Sequence, residues 1–351
     1  MTLLQIAQEI TITGTMVDTS ARKQGPVRQI DAADSRILYA LDGHARMSLS
    51  AIAKSTGLTQ ETVRYRLKAL LERGTIQSFY TVLDYGRLGH LTYKVFLRLQ
   101  NAMQSDVERI IGYLLSFPEI VWLAQFEGQF DLGLGMRSGD ICELSQLLDN
   151  FLGRYGHFIS RRGIVVNIRS EYFARSYLLP GKPGPRKSIC YSASGERALL
   201  DEVDLLLLQL LSGDCRQNAA DLSAKIAKQR PDAAVSRETV LRRIKRLEES
   251  KVISGYTVIL NPGSIQQMNY KLLLQLNERP RPEVQSFIDS LRREARMVYV
   301  TKVLGEWDYE VTFEVEDVAQ YREAVMRISA AHPGVLRDYS ALLVTHIYCY
   351  R

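Results

Sequence analysis

Val63, Leu67 and Leu70 recur at the helical period along ETVRYRLKALLERGTI (Glu61 to Ile76) and fall within one narrow arc. Arg64, Tyr65 and Lys68 lie on the other side with Glu61. Thr59 is a suitable N-cap and Gly74 a suitable stop, so the pattern predicts a helix over about Gln60–Arg73. Shorter periodic stretches at about Asp34–Leu41 and Ser50–Ser55 complete a three-helix front unit, and FYTVLDYG follows as a wing or connecting strand. Strand and helix then alternate. YKVFLRLQ predicts a strand, VERIIGYLLSF a helix, IVWLAQF and DLGLGM two strands turned around Glu127-Gly128-Gln129, ICELSQLLDNFL a helix and GIVVNIRS a last strand.

The chain repeats itself. ETVRYRLKALLERGTI returns as ETVLRRIKRLEESKVI (Glu238 to Ile253) at an offset of 177, which also carries Tyr93-Lys94 onto Tyr270-Lys271 and Gly128-x-x-Asp131 onto Gly305-x-x-Asp308. Upstream the offset is 170, so copy two holds seven extra residues, best placed around Gln229 to Val235. In its third helix Ser236 caps, Val240, Ile244 and Leu247 form the stripe, and Arg242, Lys245 and Arg246 face outward. The back half repeats the order β-α-β-β-α-β, that of a ferredoxin-like unit. The fold class is therefore α+β, in two tandem copies over 31–179 and 200–351.

Pro180, Pro183 and Pro185 alternate with Gly181 and Gly184 between the copies, which predicts a linker without regular structure. The divisions are a 1–30 extension, front units at 31–85 and 200–262, back units at 86–179 and 263–351, and a 180–199 linker. A length of 351 residues, with 46% hydrophobic and 24% charged side chains, excludes a wholly disordered chain. No apolar run approaches the roughly 18 residues of a membrane span, and the N-terminus is a poor signal peptide. Cys142, Cys190, Cys215 and Cys349 form no CxxC pair, which fits thiols in a reducing cytoplasm. Net charge is +6, and eight basic residues cluster from Arg154 to Lys187. That cluster reads equally as a solvated face or as an attractor of phosphates.

A three-helix winged unit followed by βαββαβ, with Gly-x-x-Asp between the middle strands, resembles the Lrp/AsnC family of transcription regulators. VLRRIKRLEESKVISGY (Val240 to Tyr256) carries the resemblance furthest, and VRYRLKALLERGTIQSF carries it in copy one. The resemblance implies front units that bind double-stranded DNA and back units that bind an effector and assemble. Gln60, Arg64, Tyr65, Lys68, Arg237, Arg242, Lys245 and Arg246 would then meet DNA, since the second helix of the motif enters the major groove. Arg66 and Arg243, at the stripe's edge, read equally as structural ion-pair partners. The effector, a small amino acid or related metabolite, is expected at Gly128, Asp131, Gly305 and Asp308. The plain alternative there is a turn glycine with an aspartate bonding its own backbone. Trp122 and Tyr299 are expected to fill core.

Five histidines form no metal spacing, and HExxH, P-loop and Gly-x-Ser-x-Gly motifs are missing, so no catalytic residue, metal or cofactor is assigned and the chain is expected not to be an enzyme. Two other classes share the features: siroheme decarboxylases, which have this double architecture and act on tetrapyrroles, and architectural DNA-binding proteins. Fusion of two copies predicts a pseudo-dimer, within one chain or by exchange between chains, and further assembly into dimers or tetramers. Arg64 stands where copy two has Leu241, Tyr65 where it has Arg242, and Ala69 where it has Arg246.

Overall fold

Two three-helix units share one hydrophobic core in the computed structural model, which describes residues 30–179, 186–193 and 195–350. The first unit contains α1 (Ala32–Gly43), α2 (Leu49–Thr56) and α3 (Gln60–Glu72), followed by β1 (Ile76–Leu83). Asp31, Ser48 and Thr59 cap the three helices through side-chain oxygens, and Gly57 ends α2 in the left-handed conformation. The second unit has α6 (Glu202–Gly213), α7 (Ala219–Gln229), α8 (Arg237–Glu249) and β7 (Ile253–Leu260). Asp201, Asn218 and Ser236 cap these helices. The extra residues of copy two lengthen its second helix from 8 residues to 11 and add a 3₁₀ turn at Pro231–Ala233. Val240, Ile244 and Leu247 of α8 are nonetheless buried, so the expansion leaves the third helix seated.

β1 and β7 pair antiparallel, with Phe79 opposite Val258, Tyr80 opposite Thr257 and Thr81 opposite Tyr256. Tyr80 and Thr257 occupy equivalent positions, so a pseudo-two-fold axis passes between them. Reciprocal bonds repeat the symmetry. Ala45 N donates to Tyr256 O and Cys215 N to Phe79 O, while Arg46 reaches the Cys215 carbonyl and Arg216 the Ala45 carbonyl. The wings of the two copies thus pair with each other, within one chain.

The back units contribute β2 (Leu91–Leu99), α4 (Gln104–Leu115), β3 (Ile120–Glu127), β4 (Leu132–Ser138), α5 (Ile141–Tyr155) and β5 (Ile159–Phe173), then β8 (Met268–Leu276), α9 (Arg281–Arg293), β9 (Met297–Gly305), β10 (Tyr309–Val315), α10 (Val318–Ala331) and β11 (Leu336–Tyr350). Each copy has the ferredoxin-like strand order, β5-β2-β4-β3 and β11-β8-β10-β9. β3 then pairs with β11 and β9 with β5, so the strands close into a barrel without free edges along these seams. The register is again two-fold, with Phe126 opposite Val344 and Val303 opposite Asn167. Helices α4 and α5 cover one outer face and α9 and α10 the other, each over its own apolar cluster.

One expectation is corrected. Residues Ser188–Ser192, assigned to the linker, form β6 and pair with Arg169–Phe173 of β5, where the β5 edge continues past its pairing with β2. A free edge attracts any short β-forming run, here Ile189-Cys190-Tyr191. The prolines Pro180, Pro183 and Pro185, and the 1–29 part of the extension, lie outside the described residues.

The seams depend on two glycines. Gly128 has φ +144°, and a Cβ there would stand 2.8 Å from the Ala341 carbonyl oxygen. Gly305 has φ +148°, and its Cβ would stand 2.5 Å from the Ile164 carbonyl oxygen. Gly305→Ala is therefore expected to cost about 3 kcal/mol or more, combining backbone strain with a backbone clash. Gly57→Ala, also at positive φ but facing open space, should cost only about 1 kcal/mol. Urea denaturation of both variants checks the contrast.

Candidate nucleic-acid interface and central cavity

Gln60, Arg64, Tyr65 and Lys68 are exposed on α3, and Arg237, Arg242, Lys245 and Arg246 are exposed on α8. Lys68 and Lys245 each lie 3.7 Å from a carboxylate one turn on, Glu72 and Glu249, at the surface. Exposed pairs of this kind are weak and leave both cations open to a phosphate. Arg246 differs from the outward reading, because its guanidinium is bonded to the fully buried Asp204. Arg243 bonds Asp204 at 2.8 Å and Asp201 at 2.7 Å. In copy one Arg66 bonds Asp31 and Asp34, and Arg73 completes Asp34 at 3.3 Å. A buried carboxylate requires such partners, so Arg66, Arg243 and Arg246 tie the third helix to the first.

The Gly-x-x-Asp loops serve the barrel. Asp131 accepts from Leu99 N at 2.6 Å and lies 3.2 Å from Arg98, and Asp308 accepts from Leu276 N at 2.7 Å. Each aspartate therefore fastens its loop to the adjacent strand. Asp131 also borders a surface groove with Gln100, Asn101 and Gln125.

Most of the basic cluster is internally engaged. Arg161 pairs with Glu306, Arg169 with Glu171, and Arg154 lies over the Tyr113 ring. Arg186 donates to Glu294 O at 2.8 Å beneath the Phe173 ring. Arg175 is buried and joins α1 to β10, with bonds of 2.7 Å to Asp42 Oδ1 and 2.7 and 2.9 Å to the two Glu314 oxygens. The Tyr172 and Tyr177 hydroxyls donate to the same carboxylates.

A cavity of about 180 Å³ lies between the paired wings and the barrel, lined by Tyr80 of β1, Val258 of β7 and residues from both halves of the barrel. Trp122 and Tyr299, expected in core, line it. So do Lys94 of β2 and Lys271 of β8, equivalent residues that are 7% and 6% exposed. Both ammoniums converge on Glu310 Oε2, at 2.7 and 3.0 Å, and the Trp122 ring lies 6.0 and 5.2 Å from them. Burial pushes Lys94 down to about 8 against the pull of Glu310. Burial raises Glu310, but the two ammoniums outweigh it and bring its carboxyl down to about 2. Burial also pushes the Tyr80, Tyr172 and Tyr350 phenols up, so these line the cavity as neutral groups.

Sequence reading passed over this cluster. Tyr93-Lys94 and Tyr270-Lys271 marked only the repeat, although a lysine inside an apolar strand run is itself a signal. Glu310 falls where copy one has Gly133, so symmetry gave no pointer to it. Among the described residues no group of His, Cys, Asp and Glu is placed to hold a metal, and no helix is long and apolar enough to cross a membrane.

Two lysines against one carboxylate give an asymmetric expectation. Glu310→Gln leaves both ammoniums without a counter-charge and should cost about 3–5 kcal/mol. Lys94→Met keeps the Lys271–Glu310 pair and should cost much less. The folded value of Lys94, about 8, lies below its ordinary 10.5. The unfolded chain therefore binds the extra proton between those values, and stability rises with pH across that window. Lys94→Met should remove that rise, as denaturation series from pH 7 to 10 would record.

Residues 30–77 match the family model for a winged helix-turn-helix DNA-binding domain. The chain is 35% identical over 103 residues to the HTH-type transcriptional regulator Ptr1 of Methanocaldococcus jannaschii, covering 29% of this chain and 68% of that protein. Over the whole chain the structure is similar to the siroheme decarboxylase NirDL, with TM-score 0.56, 12% identity and coverage of 90% and 92%. That likeness corrects the expectation that the chain is not an enzyme, since a decarboxylase has this fold from end to end, and at 12% identity it establishes the fold alone. The chain is 34% identical over 139 residues to the proline dehydrogenase transcriptional activator of Rhodobacter capsulatus, which spans 39% of this chain and 90% of that protein. With that relative and a winged helix-turn-helix at its front, the chain belongs to the Lrp/AsnC family of transcriptional regulators.

Proposed function

We propose that the protein is a sequence-specific DNA-binding transcription regulator that answers to a small amino acid or a related metabolite. The observation that carries this reading is the two-fold pairing of β1 with β7, which sets α3 and α8 symmetrically about one axis. Dimeric helix-turn-helix proteins use that arrangement to meet two half-sites. Gln60, Arg64, Tyr65 and Lys68 read one half-site, and Arg237, Arg242 and Lys245 the other. Exposed Tyr65 and Leu241 stand where the opposite copy has Arg242 and Arg64, so the half-sites are dissimilar. The effector meets Asp131 in the groove beside Gln100, Asn101 and Gln125, with Asp308 at the equivalent loop.

A second reading has one observation in its favour, the whole-chain likeness to a siroheme decarboxylase whose structure was also determined with an iron-uroporphyrin III analogue. Size weighs against a tetrapyrrole in the cavity as described. A cavity of about 150 Å³ accommodates benzene, and one of about 180 Å³ is far too small for a macrocycle.

Binding to the protein's own promoter region should weaken linearly in log–log terms as salt rises, because phosphate neutralisation releases counterions. Arg64→Ala and Arg242→Ala should each cost about 1–3 kcal/mol of affinity. Arg246→Ala should instead lower folding stability and leave affinity nearly unchanged. Tight siroheme uptake without DNA binding at low salt would overturn the reading, and equal affinity for promoter and random DNA would make the protein architectural. Loss of amino-acid binding in Asp131→Ala, by calorimetry, tests the effector position.

A further inference from the structure

We propose that the barrel side of the central cavity is a binding site for a small organic carboxylate, gripped between the ammoniums of Lys94 and Lys271. This site is separate from the Asp131 groove, and it stands whether or not α3 and α8 read DNA.

The inference starts from charge. Lys94, Lys271 and Glu310 together carry one surplus positive charge at a place where all three side chains are more than nine-tenths buried. Isolated buried charge is costly, and a folded protein retains it where something neutralises it. An ammonium has three N–H donors, and among the described residues each lysine directs one hydrogen bond to Glu310 Oε2. Both lysines line the cavity and Glu310 is not among its lining residues, so donors not spent on Glu310 can serve a ligand there, beside the Trp122 ring.

The other charged cluster of the cavity differs. Arg175, Asp42 and Glu314 carry one surplus negative charge, but every carboxylate oxygen there accepts a hydrogen bond from Arg175. Glu310 and Glu314 are four residues apart on β10, roughly 13 Å by the rise of a strand. The cavity is therefore polarised: behind the lysines Glu310 Oε1 accepts no hydrogen bond among the described residues, and the surplus charge at that end is positive and favours an anion.

A second observation is independent of the lysines. Asn167 is 6% exposed, lines the same cavity, and its Oδ1 lacks a hydrogen-bond partner. Either orientation of that amide offers a ligand a polar contact. Trp122, Tyr80 and Tyr191 supply the apolar wall, so the body of the ligand is compact and apolar or aromatic. With the cavity at about 180 Å³, one ring bearing one carboxylate fits.

Benzoate is the probe, and benzamide its neutral isostere. Calorimetry and ligand-induced thermal stabilisation of the full chain should show benzoate binding about tenfold or more tightly than benzamide. Lys271→Met and Lys94→Met should each bring benzoate down to the level of benzamide, with the fold retained by circular dichroism. The comparison of the two ligands on the unaltered protein keeps the test decisive if a variant fails to fold. Equal binding of benzoate and benzamide, no binding of benzoate, or undiminished binding in both folded lysine variants would each overturn the proposal. DNA affinity measured without any acid reports on the regulator reading separately.

Discussion

The pairing of β3 with β11 and of β9 with β5 is the constraint from which the rest of the molecule follows. A four-stranded ferredoxin-like sheet covers one face with helices and leaves the other face and two edges bare. Joining two such sheets edge to edge removes the edges and turns both bare faces inward. Side chains that would have been exposed in either half alone become barrel interior, Lys94 and Lys271 among them. The same closure fixes the two-fold axis, and the wings inherit it through β1 and β7. Gly128 and Gly305 follow as a necessity, because the loops must pass against the backbone of the other copy at the seams.

Within that symmetric frame the two copies have diverged at the places that carry charge. Glu310 replaces Gly133, Glu314 replaces Arg137, and Asp42 in α1 corresponds to Ser212 in α6. Each change adds a carboxylate to one side only. A homodimer could not make them singly, since its axis would place two copies of each group in the interior. Two equivalent lysines meeting one glutamate is an arrangement open only to a fused pair. The third helices show the same freedom, with the buried first-helix aspartate satisfied by Arg73 in copy one and by Arg246 in copy two.

Most of the architecture was legible because it rests on local pattern. The caps Thr59 and Ser236, the stripes Val63–Leu67–Leu70 and Val240–Ile244–Leu247, and the βαββαβ order all follow from neighbours in sequence. β6 was not legible, because its partner is an edge that exists only once β5 outruns β2. The Gly-x-x-Asp loops were visible as a motif, but only the closed barrel reveals that their glycines face a neighbouring backbone. Arg175 illustrates the same limit. It lies within a basic run that reads equally as a solvated face or as an attractor of phosphates, and the fold buries it between Asp42 and Glu314. Charge counts along a chain carry no information on which cations are already neutralised.

The fold alone does not separate a regulator from an enzyme, since both occur on it. The arrangement of parts is more informative. The central cavity touches β1 and β7, whose pairing sets the relation of α3 to α8, and it touches all the strands that meet at the barrel axis. A ligand at the lysine end meets the barrel through Lys94 and Lys271 and the wing through Tyr80. If its contacts differ between two wing positions, it shifts the balance between them by that difference and by no more. Linkage then requires that DNA alter the affinity of the cavity by the same factor. The regulator proposed above depends on such a coupling. The position of the cavity at the wing–barrel junction therefore bears more directly on function than the fold that encloses it.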